Sequence, residues 1–353
     1  MYINLLHTAH MQISKTCNYQ VNEDVAFISN YIQLESKDTF ICNTDPVKSF
    51  DVPKRANAVI NYYRINDIRY INKYFESVNA YLSTNNLFCG CFESNSSRKE
   101  RNRIFKIPVL GLLILFIEFL IMRVWPKIKW ANKLYFFITK GRNRLLTETE
   151  VLGRLVSCGF EIIDYKNING LTYFIVKKVQ QPLFDKHPSY GPLCKMQRVG
   201  KAGKIIGVYK FRTMHPYAEY LQDFILRKNG YSEIGKPACD FRLTSYGKFM
   251  RKYWLDELPQ LINVLKGEMN LVGVRPLSKR FLAEYPEDLK LMRFKYKPGC
   301  VPPYVALLKQ DVSQYLESER VYLIEKEKNP LKTDIKFFFK AAGNIITNKI
   351  KSA

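Results

Sequence analysis

An apolar segment in the first half of the chain limits what the chain can fold into. Residues 107–122 read IPVLGLLILFIEFLIM, with Glu118 as their one charged residue. The 16 residues of this segment are fewer than the roughly 20 that a helix needs to cross a bilayer. Pro108 and Gly111 lie near its start, where they would allow the segment to bend.

The charges beside this segment indicate how it is used. A membrane-spanning helix usually has an excess of Lys and Arg on one side. This segment has basic residues on both sides, namely Arg98, Lys99, Arg101, Arg103 and Lys106 before it and Arg123, Lys127, Lys129 and Lys133 after it. We therefore expect it to enter the membrane and return, or to lie along the membrane surface. A single span and a buried core helix are the alternatives.

The net charge points to an anionic partner. The 353 residues include 55 Lys and Arg but 32 Asp and Glu, which gives a net charge of +23. Nucleic acid, anionic lipid and a phosphorylated substrate are all compatible with this balance. The sequence has no zinc-finger spacing and no helix-turn-helix or aromatic–basic signature. We therefore expect a membrane lipid or a phosphorylated substrate as the partner, and no nucleic acid.

Local patterns divide the chain into four regions. Residues 1–56 are weakly patterned, and residues 57–180 are predicted to form an accessory α/β region that contains the apolar segment 107–122. Residues 181–310 carry the motifs described below. Residues 311–353 are predicted to form a basic amphipathic helical tail, either at a membrane interface or packed on the core.

The accessory region alternates predicted strands and helices. This order resembles the later half of a class I methyltransferase fold, but no G-x-G-x-G loop precedes it. We therefore expect no catalytic function from it. The predicted elements are strands at 58–62, 87–92, 160–164 and 171–177, a helix over 66–82, and a helix that begins with the capping-box pair Thr147 and Glu150.

The next region is predicted to be mainly helical with a small β element. A strand is expected over 204–214, a helix over 216–228, and two helical pieces over 242–266. The second piece is expected to begin near Pro259 and to end at Gly267. Residues 200–204 read GKAGK, which lacks the spacing of a phosphate-binding P-loop and indicates a hairpin turn.

Adjacent carboxylates mark the segment with the most chemistry. Asp256 and Glu257 lie near a predicted helix start, and Arg251, Lys252, Lys266 and Arg275 are close to them in sequence. One carboxylate could attack phosphorus, the other could hold Mg²⁺ with phosphate oxygens, and the guanidinium groups could bind phosphate. A solvated acidic pair that stabilises a helix dipole is the alternative.

A second basic cluster precedes this pair. Lys210 and Arg212 would point to the same face of the predicted strand. An exposed basic strand face is the simpler interpretation of these two residues alone.

Taken together, these segments resemble the bacterial sugar transferases, the polyprenyl-phosphate glycosyl-1-phosphate transferases of the monotopic type. The similar segments occur in one order over about residues 188–303. They are YGPLCKMQRVG at 190–200, YKFRTM at 209–214, RLTSYGKFMR at 242–251, DELPQLINVLKG at 256–267, LVGVRP at 271–276 and KPG at 297–299.

The resemblance implies a two-step transfer of a sugar-1-phosphate from a UDP-sugar to undecaprenyl phosphate, with release of UMP. Asp256 would be the nucleophile and Glu257 a ligand of Mg²⁺. Phosphate binding would fall to Lys210, Arg212, Arg251 and Arg275. The residues that would shape the site are Gln197, Arg198, Thr213, Pro259, Gly273, Pro276, Pro298 and Gly299.

The resemblance also implies a place and a role. It predicts an enzyme on the cytosolic face of the bacterial inner membrane that starts exopolysaccharide, capsule or O-antigen synthesis. A homodimer is compatible with this prediction. The alternatives are a membrane-bound scaffold that has lost catalysis and, less favoured, a nucleic-acid-binding protein. The transferred sugar stays open, because residues 300–304 read CVPPY where the family has a tryptophan-containing turn.

Overall fold

The computed structural model describes residues 23–42, 56–101, 104, 107, 110–125, 132–184, 192–229, 240–309, 312–347 and 349–350. Most of the weakly patterned segment 1–56, Pro108 and the motif positions Tyr190 and Gly191 lie outside these residues. The chain divides into two compact units, Met1–Lys186 and His187–Ala353.

The described residues of the first unit form a five-stranded sheet. Its strand order is β1-β2-β3-β5-β4, with parallel pairing from β1 to β3 and antiparallel pairing from β3 through β5 to β4. The strands are β1 (Thr39–Cys42), β2 (Ala56–Asn61), β3 (Leu82–Phe92), β4 (Phe160–Ile168) and β5 (Leu171–Lys178). The predicted strands at 58–62, 87–92, 160–164 and 171–177 are confirmed. This half of the chain is therefore a mixed α/β structure.

The described residues of this unit form six helices. They are α1 (Glu23–Ser29), α2 (Ile71–Tyr81), α3 (Asn95–Arg101), α4 (Leu110–Phe119), α5 (Asn132–Thr139) and α6 (Glu148–Ser157). The helix predicted over 66–82 is shorter than expected, since a separate 3₁₀ turn, Ile65–Asp67, comes before α2.

Local signals set the last helix and the last hairpin of this unit. The Thr147 hydroxyl accepts a hydrogen bond from the Glu150 backbone N–H at 3.3 Å, as a capping box does. Asn169 and Gly170 have φ values of 51° and 82°, which suit the tight turn between β4 and β5. Both predictions are confirmed, because they depend on neighbouring residues alone.

The apolar segment forms α4 followed by a turn of π-helix, Leu120–Val124. Arg98 forms a 2.7 Å ion pair with Glu118, which is the charged residue of the segment. Leu113, Ile117 and Leu120 are exposed. Of the helices in the described ranges, none has both the length and the hydropathy of a membrane span. The predicted membrane contact of residues 107–122 stays a prediction.

The second unit joins small β elements to a set of helices. An antiparallel hairpin pairs β6 (Leu193–Val199) with β7 (Ile205–Phe211), and a parallel pair joins β8 (Asn270–Val272) to β9 (Gly299–Val301). The helices are α7 (Gln222–Asn229), α8 (Ser245–Lys252), α9 (Leu261–Leu265), α10 (Lys279–Ala283), α11 (Glu287–Phe294), α12 (Pro303–Leu307), α13 (Val312–Lys328) and α14 (Pro330–Ile346). The expected hairpin turn at residues 200–204 is confirmed.

The C-terminal helix packs on the core of this unit. Phe337 and Ala341 are buried, and the Phe337 ring lies 5.0 Å from the ring of Tyr322 on α13. Leu331, Phe339 and Ile346 remain exposed on the same helix. The tail is predicted to lie either at a membrane interface or packed on the core. The described part of the helix packs on the core.

Candidate active site

The adjacent carboxylates lie within a 3₁₀ turn that the sequence did not predict. This turn, Leu255–Gln260, precedes α9 and includes Pro259. Trp254 enters it with a φ of 59°, and its indole N–H donates to the Ile350 backbone oxygen at 3.3 Å. The positive φ allows the chain to reverse sharply between α8 and the turn. Within this turn Asp256 is buried, with 2% exposure.

A buried asparagine connects the turn to the β6–β7 hairpin. Asn263 is fully buried on α9, accepts from the Tyr209 backbone N–H at 3.0 Å and donates to the Gly207 oxygen at 2.8 Å. Its amide also donates to Glu268 at 2.6 Å. Such a satisfied amide specifies one register between two elements. Asn263 thereby places β7 beside the carboxylates.

Glu257 accepts hydrogen bonds on both carboxylate oxygens. Lys210, at the end of β7, contacts Oε1, and the Gln260 side-chain amide donates to Oε2. Burial lowers the pKa of Lys210 below its usual range, while the negative charge of Glu257 acts in the opposite direction. Lys210 and Glu257 therefore form a charge-assisted hydrogen bond in a partly desolvated environment.

These groups face a pocket that opens to solvent. Its lining combines one carboxylate with an ammonium and two guanidinium groups. The lining residues are Met196, Arg198, Val208, Lys210, Glu257, Gln260, Arg275, Pro276, Cys300, Pro302 and Tyr304. Excess positive charge around one acidic group suits an anionic ligand such as a diphosphate.

Arg275 and Arg198 provide the two guanidinium groups of the pocket. The Arg275 guanidinium carbon lies 5.9 Å from the ring centroid of Tyr304. The interaction with Tyr304, followed by that with the Glu257 carboxylate, raises the pKa of Arg275 against the opposing effect of burial, so this side chain stays protonated. Burial, followed by the charge of Arg275, lowers the pKa of Arg198. Their mutual repulsion would be relieved by a bound anion.

The two predicted catalytic carboxylates have different surroundings. Glu257 lines the pocket, whereas Asp256 is buried at the neighbouring position of the turn. Burial lowers the pKa of Arg251, and the charge of Asp256 is the largest effect opposing that shift. Arg251 also donates to the Thr213 hydroxyl at 3.1 Å. The positive charges of Arg251 and Lys210 therefore both interact with Asp256.

Strand alternation separates Gln197 from the other predicted site residues. Met196 and Arg198 on β6 and Lys210 on β7 line the pocket, but Gln197 is exposed. Successive side chains of a strand point to opposite faces, so Gln197 belongs to the other face. Arg212 follows β7, and its backbone N–H donates to the Pro192 oxygen at 2.7 Å. Arg212 shares the strand parity of Lys210, as expected, but is not among the described residues that line the pocket.

The predicted glycines and prolines shape the backbone around the pocket. Gly273 and Gly299 lie so close that a Cβ on Gly299 would come within 2.0 Å of the Gly273 nitrogen. Pro276 lines the pocket, and the Pro298 oxygen accepts from the Asn270 N–H at 2.8 Å. This close approach of backbone brings β8 and β9, and with them the residues that follow each strand, to the same place.

The R-x-T-x-x-G segment turns out to hold the backbone in place. The Thr244 hydroxyl donates to the Thr213 oxygen at 2.9 Å and caps α8 by accepting from the Gly247 N–H at 2.9 Å. Arg242 is buried and pairs with Asp240 at 2.7 Å. These contacts position the start of α8, which carries Arg251 at its end.

Some residues of the site were missed by sequence reasoning. Gln260 and Asn263 lie inside the quoted segment 256–267, but helix periodicity alone gives no reason to single them out. Tyr304 and Cys300 come from the stretch that departs from the family pattern. Burial raises the pKa of the Cys300 thiol to about 12, so it stays protonated at neutral pH.

The donor set bears on whether Mg²⁺ could be held here. Among the described residues, no group of three or more His, Cys, Asp and Glu side chains could hold a metal ion. Mg²⁺ usually takes one or two carboxylates and completes its coordination with phosphates and water. Glu257 fits such a site, because each of its oxygens keeps a lone pair beyond the bond to Lys210 or Gln260.

Comparison with known proteins places these residues in a family. Residues 176–348 match the family described as bacterial sugar transferase. Galactosyl transferase CpsE of Streptococcus agalactiae is 34% identical over 173 residues, which are 49% of this chain and 35% of that protein. Undecaprenyl-phosphate galactose phosphotransferase of Salmonella typhimurium is 38% identical over 157 residues, which are 42% of this chain and 32% of that protein.

A further relative has a name that states a donor and an acceptor. UDP-glucose:undecaprenyl-phosphate glucose-1-phosphate transferase of Klebsiella pneumoniae is 38% identical over 117 residues, 32% of this chain and 23% of that protein. The chain spans about a third of the length of the first two relatives. The residues that line the pocket all lie inside the matched range. On this evidence, the part of the chain that carries the pocket belongs to the bacterial sugar transferase family.

Proposed function

We propose that this chain transfers a sugar-1-phosphate from a UDP-sugar to undecaprenyl phosphate and releases UMP. The observation that carries the proposal is the convergence of Lys210, Arg198 and Arg275 on the Glu257 carboxylate in one pocket. A diphosphate needs such cations. The name of the Klebsiella relative states UDP-glucose and undecaprenyl phosphate, and the name of the Salmonella relative states undecaprenyl phosphate and galactose.

The first step is an attack on phosphorus. A carboxylate oxygen of Asp256 forms a bond to the β-phosphorus of the UDP-sugar. The bond from that phosphorus to the oxygen bridging to the α-phosphate breaks, and UMP leaves with the electron pair. The product is a phosphosugar on Asp256, and the burial of this side chain protects the mixed anhydride from water.

The second step transfers the phosphosugar to the lipid. A phosphate oxygen of undecaprenyl phosphate attacks the same phosphorus, and the bond to Asp256 breaks. The carboxylate is regenerated, and the lipid product is a diphosphate that carries the sugar. Arg275, Arg198 and Lys210 neutralise the charge of the phosphoryl group in both steps.

Mg²⁺ would be held by Glu257 together with substrate phosphate oxygens. When bound, it would supply further neutralisation of the phosphate charge. Lys210 and Gln260 would keep the Glu257 carboxylate oriented toward the pocket. The charge of Asp256 opposes the lowering of the Arg251 pKa by burial, so Arg251 would stay a cation near the attacking carboxylate.

The rest of the chain would serve this reaction at the membrane. The exposed apolar side chains of Leu113, Ile117 and Leu120 support membrane contact by residues 107–122 at the cytosolic face. The sheet of the first unit, with parallel strands followed by an antiparallel hairpin, supports the likeness to the later half of a methyltransferase fold. We propose a non-catalytic accessory role for it and, for the whole chain, a start to exopolysaccharide, capsule or O-antigen synthesis.

The test is the identity of the released nucleotide. The chain is incubated with Mg²⁺, undecaprenyl phosphate and a panel of UDP-sugars, and UMP and UDP are separated and measured. We expect UMP with at least one sugar, since ordinary glycosyl transfer would release UDP. Release of neither nucleotide across the panel would favour a scaffold that has lost catalysis, and release of UDP would assign a different reaction.

A further inference from the structure

Two buried charged residues flank the backbone of Arg275. Arg293 on α11 is 5% exposed and Glu319 on α13 is 1% exposed, and they form an ion pair. Neither residue lines the candidate pocket. Their charges are therefore buried outside the candidate pocket.

The ion pair contacts the backbone of Arg275. A terminal guanidinium nitrogen of Arg293 donates to the Arg275 backbone oxygen at 2.6 Å. The Arg275 backbone N–H opposes the rise in the pKa of Glu319 that burial causes, and the Glu319 carboxylate holds the Arg293 guanidinium through the ion pair. The backbone oxygen of Arg275 is thus held by a guanidinium that Glu319 fixes in turn, and the direction of the Arg275 side chain depends on this backbone.

The aromatic surroundings continue this arrangement. The Arg275 guanidinium lies 5.9 Å from the ring of Tyr304, and the Tyr304 ring lies 4.6 Å from that of Tyr315 on α13. The Arg293 guanidinium lies 5.1 Å from the ring of Tyr285. The helix that carries Glu319 therefore contributes to both the backbone and the side-chain environment of Arg275.

Stability alone does not explain the Arg293–Glu319 pair, because burying two charges costs desolvation free energy. Desolvation raises the pKa of Glu319, and the charge and hydrogen bond of Arg293 together with the Arg275 N–H oppose this shift. Replacing a buried ion pair by apolar side chains of similar volume is often neutral or stabilising. The hydrogen bond from Arg293 to the Arg275 backbone provides a different reason for having charges here.

We propose that Arg293 and Glu319 are positioning residues for the phosphate-binding side chain of Arg275, an inference that rests on the proposed function. They act through the Arg275 backbone and contact no substrate. The pair fixes the guanidinium in the pocket before a diphosphate arrives, which lowers the ordering cost of binding.

A double-mutant cycle on full-length protein tests this inference. The pair is replaced by Arg293→Met with Glu319→Leu, in the wild-type and in the Arg275→Ala background, and binding of UDP is measured by titration. In the wild-type background we expect affinity for UDP to fall about tenfold. In the Arg275→Ala background the same replacement should change it less than about twofold, because the residue being positioned is absent.

Glu319→Gln provides a second variant that keeps the shape of the side chain, should the apolar pair disturb folding. A matched control is Asp334→Asn, which removes the 2.8 Å ion pair between Lys326 on α13 and Asp334 on α14. The control should lower the unfolding temperature and leave UDP affinity unchanged. An equal loss of UDP affinity in both Arg275 backgrounds would overturn the positioning role and leave a structural one.

The binding cycle is independent of turnover. A wild-type chain that binds UDP but never releases UMP would contradict the proposed function, while the coupling between the pair and Arg275 would still be measured. Conversely, UMP release without such coupling would keep the function and reject the positioning role.

Discussion

Lys210 and Glu257 form an ion pair across the candidate pocket, although 47 positions separate them in the sequence. One lies at the end of β7 and the other in the 3₁₀ turn before α9. Both side chains are largely buried, with 14% and 12% exposure. The charge state of the pocket therefore depends on how these two elements meet.

The first prediction concerns pH. Because burial lowers the pKa of Lys210, its ammonium should lose its proton at a lower pH than an ordinary lysine, whose pKa is about 10.4. UMP release should fall on the alkaline side as this charge disappears. Lys210→Arg keeps the positive charge at high pH. In a pH profile of its initial rates, the alkaline decline should therefore begin at a higher pH than in the wild type.

The exposed Lys204 in the hairpin turn offers a matched control for this experiment. Lys204→Arg should leave the alkaline limb where it is in the wild type. An alkaline limb that stays in place in Lys210→Arg would show that another group titrates there.

The second prediction concerns the covalent intermediate. Without undecaprenyl phosphate, the wild type should release about one equivalent of UMP per chain and keep the labelled phosphosugar on protein. Asp256→Asn should show no labelling and a steady-state rate at least about a thousandfold lower. The label is measured on denatured protein after a UDP-sugar carrying radioactive β-phosphate is added.

Asp288→Asn is the control, since Asp288 is an exposed acid on α11 that pairs with Arg320. It should label like the wild type. Labelled Asp256→Asn protein would reject Asp256 as the nucleophile and direct attention to Glu257.

The third prediction concerns the connection between α9 and β7. Asn263→Ala leaves the Tyr209 N–H and the Gly207 oxygen without their buried partner. Each unsatisfied group costs about 1–3 kcal/mol, so we expect a loss of about 3 kcal/mol in the free energy of unfolding. Urea unfolding followed by tryptophan fluorescence would measure it, because Trp254 lies in the same unit.

Gln197→Ala is the comparison for this variant. The exposed side chain of Gln197 should contribute within about 0.5 kcal/mol. A loss at Asn263 no larger than that at Gln197 would mean that the buried amide does not hold the two elements together.

The fourth prediction concerns backbone contact between β8 and β9. In Gly299→Ala the new methyl group would collide with the Gly273 backbone, and we expect a loss of about 2–3 kcal/mol in stability. Gly343→Ala, on the exposed side of α14 with open space around it, should instead stabilise by about 0.5–1 kcal/mol. Thermal unfolding of both variants compares them directly, and a stable Gly299→Ala protein would contradict the close approach.

Signals between near neighbours in sequence were sufficient for several elements. The Thr147–Glu150 capping box, the Asn169-Gly170 turn and the 200–204 hairpin turn each use hydrogen bonds or φ values within a few residues. Such interactions are determined by the residues themselves, whatever the rest of the chain does. The order of short motifs likewise predicted the family that the comparison found.

Element boundaries and side-chain surroundings were harder to predict. The 3₁₀ turn at Leu255–Gln260 was not expected, because Pro259 suggested a helix start at its own position. At the start of this turn, the Trp254 indole N–H donates to the backbone oxygen of Ile350, which lies 96 positions away in the sequence. The hydrophobic periodicity of a short segment cannot predict a contact between residues so far apart in the sequence.

By itself, the sequence determined that cationic and acidic side chains of a sugar transferase occur in order along residues 188–303, together with an apolar segment upstream. Only the tertiary structure decided that Glu257 faces the pocket, that Asp256 is buried and that Gln197 points elsewhere. The physical reason is that strand pairing and helix packing bring distant residues together, and the free energy of those contacts depends on burial that no short segment encodes.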